Sequence, residues 1–99
     1  MRYDNFDLKK MGFVKFNSTN AMVKNDGFRA IASYGLIIAL YDLTKNIWVS
    51  ACGKHDYSST TSKQVTQITG VCTSDRRKTW VINDNDFRLL ENKFKKLNW

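Results

Sequence analysis

Apolar residues along the chain fall into short runs separated by polar turns, and the longest run covers residues 36–41. This run does not alternate with polar residues, so we predict a central strand that is covered on both faces. The turn-like residues 42–46 and the next apolar run, residues 47–52, predict an antiparallel hairpin. In the returning strand Val49 would point to one face of the sheet and Trp48 to the other.

Shorter strands are predicted before this hairpin, at residues 13–16, 21–24 and 28–34. The Asp-Gly pair ahead of residue 28 predicts a tight type I′ turn, because glycine adopts a positive φ without strain. Gly35 interrupts the apolar sequence before residue 36. We therefore expect a bend or a bulge at that glycine.

Two helices are predicted from periodicity and capping residues. Thr61 as N-cap and Gln64 form a capping box for a helix over about residues 61–69, which Gly70 would end. A second helix covers about residues 85–97, because apolar residues recur there at helical spacing. These residues are Phe87, Leu90, Phe94 and Leu97.

Two further segments complete the predicted fold. A helical turn capped by Asp4 or Asn5 would end at Gly12. Residues 73–75 predict a turn, and residues 76–82 begin with basic side chains and end like a strand. We predict a single α+β domain with a small antiparallel sheet of about four to six strands, one inserted helix and a C-terminal amphipathic helix. Both helices are expected to pack on one face of the sheet.

The charge of the chain bears on its partners. Among its 99 residues are 16 Lys and Arg against 9 Asp and Glu, which gives a formal net charge of +7. This balance favours nucleic acid or an acidic protein surface as a partner, although lysines also keep a small domain soluble. The sequence has neither a membrane span nor the apolar core of a signal peptide, so we expect a cytoplasmic protein without a membrane partner. An open sheet face or edge strand would also allow a homodimer.

Two segments together resemble a family of small bacteriophage proteins: Ser33-Tyr34-Gly35-Leu36-Ile37-Ile38-Ala39 and Tyr57-Ser58-Ser59-Thr60-Thr61-Ser62-Lys63. Members of that family carry a Ser-Tyr-Gly/Asn-x-x-Ile-Ala strand, a hairpin, and a Tyr-Ser-x-Thr-Thr-Ser-Lys segment that enters a helix. The resemblance covers about residues 33–68, and Gln64 stands where the family often has histidine. The family is defined by sequence similarity and not by an activity. The resemblance therefore implies a phage origin, and with it the cytoplasm of a bacterial host, but no mechanism.

The hydroxyl-rich segment has two interpretations. Hydroxyls, free backbone N–H groups and a lysine at a helix N-terminus can receive a phosphate or a carboxylate, which makes the segment a candidate partner-binding site. Its residues are Tyr57, Ser58, Ser59, Thr60 and Lys63. The alternative is that the hydroxyls only cap the helix, which accounts well for Thr61 and Gln64 but less well for a run of hydroxyl residues.

Two basic clusters are candidates for binding nucleic acid or an acidic surface, because bases stack on aromatic side chains that lie among cations. The clusters are Arg76, Arg77 and Lys78 ahead of Trp80, and Lys93, Lys95 and Lys96 ahead of Trp99. The alternative is that Trp80 points into the core and that lysines late in the last helix interact with its dipole.

Candidate catalytic and metal-binding residues are few. Cys52, His55 and Cys72 supply three zinc ligands, whereas a structural zinc takes four. A pairing of Cys52 with His55 lacks a supporting catalytic motif, and the sequence contains no phosphate-binding glycine loop, carboxylate pair or nucleophile elbow. We expect a non-enzyme without metal or cofactor, and two free, partly buried thiols.

Two functional hypotheses follow. In the first, the chain is a phage accessory protein that binds and inhibits a host protein or ribonucleoprotein complex, such as a CRISPR effector or another nucleic-acid-handling defence complex. In the second, it binds DNA or RNA directly through its basic clusters, with an affinity that falls steeply with salt.

Overall fold

The structure is a computed structural model, and residues 3–16, 21–25, 27–51 and 59–98 are described. The strands are β1 (Val14–Lys15), β2 (Ala21–Lys24), β3 (Ala30–Ser33), β4 (Leu36–Asp42), β5 (Ile47–Ala51) and β6 (Val81–Ile82). The helices are α1 (Asn5–Lys10), α2 (Ser59–Thr69), α3 (Thr73–Thr79) and α4 (Asp84–Asn98).

Within these residues the strands form one six-stranded sheet, in the order in which they occur along the chain. The first five strands pair antiparallel as a meander, whereas β6 lies parallel to β5. A parallel pair needs a crossover connection, and α2 and α3 lie on it. The predicted α+β fold, with its inserted helix and its C-terminal helix, is confirmed. The turn predicted at residues 73–75 is wrong, because these residues begin α3.

The connection between β3 and β4 is a two-residue turn in which Tyr34 and Gly35 have φ values of 52° and 81°. Two positive φ values fit the twist of a tight hairpin. A Cβ atom on residue 35 would lie 2.5 Å from the carbonyl oxygen of Tyr3, so only glycine fits there. The predicted interruption at Gly35 is present, but it is a complete reversal of the chain rather than a bend or a bulge.

A bulge does occur, but inside β4. Ile37 pairs with Ala32 and Ala39 pairs with Ile31, so Ile38 is the additional residue between the two pairs. Ile37 lies in the core on one face of the sheet, and Ile38 and Ala39 pack on the other. The prediction that this strand is covered on both faces is confirmed.

Helices pack on both faces of the sheet, so the prediction that they share one face is wrong. The core under α1 and α4 includes Leu8, Phe13, Phe28, Phe87 and Phe94. The opposite core, under α2 and the segment after α3, includes Val23, Ile31, Trp48, Val65 and Trp80. A homodimer through an open sheet face loses its structural basis, and a dimer through an edge strand stays a prediction.

The helix ends follow the capping residues in most cases. The Asp4 carboxylate caps α1 by accepting a hydrogen bond from the Asp7 backbone N–H at 2.8 Å. Gly70, with a φ of 75°, ends α2 as predicted. The N-cap prediction for Thr61 is wrong, because α2 begins two residues earlier, at Ser59.

The segment around Tyr3 is fixed to the sheet and to α4. Its backbone N–H donates to the Gly35 carbonyl at 2.7 Å, and its hydroxyl donates to Glu91 Oε2 at 2.9 Å. Burial, reinforced by that carboxylate, raises the pKa of Tyr3. The last helix is thereby connected to the start of the described chain.

Candidate partner-binding site

Arg76 lies in the interior, where only 1% of it is exposed. Its guanidinium donates to Thr66 Oγ1 at 2.8 Å, Val71 O at 2.7 Å, Ser62 Oγ at 2.7 Å and Thr73 Oγ1 at 3.1 Å. These are neutral oxygen atoms of α2, of α3 and of the connection between them. The prediction that Arg76 belongs to a basic surface is wrong, because its donors join the two helices inside the fold.

Burial of Arg76 reduces the first predicted cluster to Arg77 and Lys78, which are both exposed. Trp80, which was a candidate for base stacking, is 1% exposed and stacks on Trp48 with ring centroids 6.0 Å apart. The alternative interpretation of Trp80 as a core residue is confirmed. These two cations therefore lie on the surface without that tryptophan as a stacking platform.

A continuous series of rings and cations crosses the sheet near Trp80. The Arg29 guanidinium lies 4.1 Å from the centroid of the Tyr41 ring, and Tyr41 contacts Trp48 edge to face at 5.6 Å. Trp48 stacks on Trp80, and the Arg76 guanidinium lies 5.7 Å from the Trp80 ring. The sequence analysis did not predict this series, since its members come from distant parts of the chain. Its contacts are internal, and it stabilises the fold.

Most of the predicted hydroxyl-rich site lies outside the described residues. Tyr57 and Ser58 lie outside the described residues, as do the side chains of Ser59 and Thr60, whose backbones begin α2. Lys63 is exposed. Further along α2, the Ser62 hydroxyl accepts a hydrogen bond from Arg76, which gives that hydroxyl a structural role. Binding by the segment stays a prediction.

The cysteine predictions are resolved for one residue. Cys72 is a free and exposed thiol, so the prediction that it is partly buried is wrong. Its Sγ atom lies 3.3 Å from Asp75 Oδ2. Cys52 and His55 lie outside the described residues. Over the described ranges, no group of three or more His, Cys, Asp or Glu side chains is placed to hold a metal ion.

The second basic cluster lies on α4. Lys93 and Lys96 are exposed, whereas Lys95 is half-buried, with its ammonium nitrogen 6.0 Å from the centroid of the Tyr3 ring. Trp99 lies outside the described residues. The prediction of an exposed cluster thus holds for two of its three lysines.

The exposed ridge of α4 also carries leucine. Leu89 is 68% exposed and precedes Lys93 and Lys96 by four and seven residues, so the three side chains share one side of the helix. Leu97 is 67% exposed, although it was predicted as part of the apolar stripe. We name Leu89, Lys93 and Lys96 the outer ridge of α4. The sequence analysis missed Leu89, yet a leucine outside the predicted apolar stripe is a signal that could have revealed it.

A cleft of about 270 Å³ lies beside the outer ridge, between α4 and the turn that joins β4 to β5. Its apolar lining is Ile82, Leu89 and Leu90, and its charged lining is Asp42, Lys45, Asp86 and Lys93. The cleft therefore combines an apolar wall with charges of both signs. Small-molecule sites usually exceed roughly 300 Å³, so this cleft is at the lower limit of that class.

The two carboxylates of the cleft are hydrogen-bonded within their own turns. Asp42 Oδ1 accepts from the Thr44 hydroxyl at 2.6 Å and from the Thr44 backbone N–H at 3.0 Å. The bond from the Thr44 hydroxyl is the main cause that lowers the pKa of Asp42. Asp86 Oδ2 accepts from Asn83 Nδ2 at 3.0 Å, and Asn83 Oδ1 in turn accepts from the Asp86 backbone N–H at 2.8 Å. Both groups are thus fixed as parts of the walls.

Comparison with known proteins does not indicate a function for the chain. No protein-family model, no curated protein and no solved structure matches the chain. In the part of the chain that the structure describes, no helix has the length and apolar character needed to cross a membrane.

Proposed function

We propose that this protein is a non-enzymatic binding protein that docks on an acidic surface of a host protein or ribonucleoprotein complex and inhibits that complex. The observation that carries the proposal is the exposed Leu89 within the basic outer ridge of α4. Phosphates attract lysines but offer no apolar surface to a leucine. Protein interfaces, in contrast, combine an apolar centre with a polar and charged rim.

Charge and origin together narrow the proposed target. The phage-like segments favour a host target, and a nucleic-acid-handling defence complex of the CRISPR effector type is the target that we propose. Such complexes hold nucleic acid in positively charged channels. A chain with a net charge of +7 is repelled by such a channel, so the proposed contact is an acidic region elsewhere on the complex.

The test uses purified protein and purified effector complexes of the bacterial host, with co-elution and nuclease activity as measurements. We expect the unchanged protein to co-elute and to lower the activity, and Leu89→Glu and Lys93→Glu to lose both effects. Lys9→Glu, at an exposed position of α1, changes the net charge as much as Lys93→Glu does and should behave like the unchanged protein. If the protein binds no effector complex of its host, the proposal is wrong.

Direct binding of nucleic acid is a second candidate, favoured by the exposure of Arg77, Lys78, Lys93 and Lys96. Each phosphate neutralised would add about −0.9 to the slope of log affinity against log salt. A steep slope, together with weaker binding by a double Arg77→Glu, Lys78→Glu variant, would support this candidate. An interaction with a protein partner that survives nuclease treatment would contradict it.

A further inference from the structure

We infer that the cleft between α4 and the β4–β5 turn receives one aromatic or leucine side chain from an acidic segment of the partner, with carboxylates beside that anchor paired with Lys45 and Lys93. The inference rests on the proposed function and specifies which part of the partner makes the central contact. It assigns separate roles to the apolar and the charged residues that line the cleft.

The size of the cleft suits a single side chain. A cavity of roughly 150 Å³ lined by apolar residues accommodates a benzene ring, so the volume of about 270 Å³ is sufficient for a phenylalanine side chain. The apolar wall comes from Ile82, Leu89 and Leu90, and an anchor in contact with it would leave water. Central apolar anchors of this kind supply much of the affinity of protein interfaces.

The walls of the cleft are held in place before any partner arrives. The Asp42–Thr44 hydrogen bonds fix the β4–β5 turn, and the reciprocal Asn83–Asp86 bonds fix the start of α4. Ile82 belongs to β6 and packs against the core. A partner would therefore meet preformed backbone and apolar walls, and the ordering cost of binding would fall mainly on the exposed side chains of Lys45 and Lys93.

Charge selects an acidic segment over a second copy of the chain. Asp42 and Asp86 keep their negative charges when they accept hydrogen bonds from neutral donors, so the lining carries two charges of each sign, and the exposed Lys45 and Lys93 lie on two different walls. A second copy would bring a net charge of +7 to a surface that already carries lysines, and like charges at an interface weaken it. The preference for an acidic segment therefore comes from the net charge of the whole chain, and glutamates or aspartates next to the anchor would pair with Lys45 and Lys93.

The test uses a synthetic peptide as the probe, acetyl-Glu-Glu-Phe-Glu-Glu-amide, titrated into isotope-labelled protein and followed by NMR. We expect shifts of the backbone amides of Lys45, Ile82 and Leu89. A peptide with alanine in place of phenylalanine should bind about tenfold or more weakly, because a phenylalanine side chain loses its burial. Equal affinity of the two peptides, or shifts centred on Arg77 and Lys78, would overturn the inference.

Two variants separate this inference from the proposed function. Leu89→Glu, in the wall of the cleft, should abolish the preference for the phenylalanine peptide, whereas Leu97→Glu should keep it, since Leu97 is equally exposed and does not line the cleft. If the peptide preference is as expected but no host complex is inhibited, the cleft inference stands and the proposed function fails. If Leu89→Glu abolishes inhibition of the host complex while the phenylalanine and alanine peptides bind with equal affinity, the α4 surface is a docking surface as proposed, but the inference about the cleft is wrong.

Discussion

Replacement of the buried Arg76 by methionine tests the interior of the fold most directly. Methionine keeps a long, flexible side chain but removes the guanidinium and its donors. The loss affects Thr66 Oγ1 and Val71 O, at 2.8 and 2.7 Å, and the hydroxyls of Ser62 and Thr73. Among the described residues, apolar packing and the contact between the Ser62 and Thr73 hydroxyls would still connect α2 and α3.

The expected magnitude follows from these contacts. A hydrogen bond to a charged group contributes about 1.5–3 kcal/mol, but the four contributions do not add. The Ser62 and Thr73 hydroxyls lie 2.8 Å apart and can satisfy each other, whereas the Val71 carbonyl loses the hydrogen bond from Arg76. We expect the free energy of unfolding to fall by about 3–5 kcal/mol. That is a large fraction of the roughly 5–15 kcal/mol that is typical of a folded domain.

The assay is urea unfolding followed by tryptophan fluorescence, since Trp48 and Trp80 lie in the core next to this network. Arg77→Met is the matched control, because it removes the same charge from an exposed position one residue away. The control should change the free energy of unfolding by no more than about 0.5 kcal/mol. If the two variants differ by less than about 1 kcal/mol, the structural role assigned to Arg76 is wrong.

Three further predictions concern other parts of the fold. Gly35→Ala should lower the thermal unfolding temperature more than Gly70→Ala does. Both glycines have a similar positive φ, but of the two only residue 35 would place a Cβ atom against the Tyr3 carbonyl. Equal effects of the two substitutions would contradict this close contact. Ser50→Ala should leave the free energy of unfolding unchanged or raise it by up to about 1 kcal/mol, because the buried Ser50 Oγ makes no hydrogen bond to any residue that the structure describes. A clear fall in the free energy of unfolding would contradict this expectation. The lowered pKa of Asp42 means that its ionised form stabilises the fold above the ordinary value of 3.8, and that this contribution is lost as the pH falls through the folded-state pKa. Urea titrations should therefore show Asp42→Asn as less stable than the unchanged protein near neutral pH, with the difference disappearing in acid, and a difference that persists in acid would contradict the assignment.

Local sequence signals predicted the elements that local forces determine. The spacing of Phe87 and Phe94 predicted α4, whose bounds agree with the prediction to one residue at each end. The apolar run at residues 36–41 predicted β4, and its burial on both faces was correctly inferred. In these segments the pattern of apolar residues along a few turns or one strand is sufficient to select the structure.

The remaining features depend on contacts between distant parts of the chain. The basic run that begins at Arg76 resembles a surface cluster, and its burial becomes favourable through acceptors from other elements, among them the Ser62 and Thr66 hydroxyls of α2. Ser62 and Thr66 are four residues apart, so their hydroxyls lie on one side of α2. This pair can be recognised as a set of acceptors only after Arg76 is known to pack against it. The cleft likewise requires α4 to lie beside the β4–β5 turn, which no local pattern indicates.

The strand order has a consequence for how the protein folds during synthesis. Because β1 to β5 pair in chain order through short connections, their hairpins can form early and quickly. Phe13 and Phe28, however, complete their packing only on Phe94 of α4, with ring centroids 5.8 and 5.1 Å apart. During synthesis on the ribosome, one apolar face of the meander would stay uncovered until α4 emerges. In that interval the meander would be a target for chaperones that bind exposed apolar strands. Deletion of α4 should therefore yield an aggregating meander rather than a smaller stable domain.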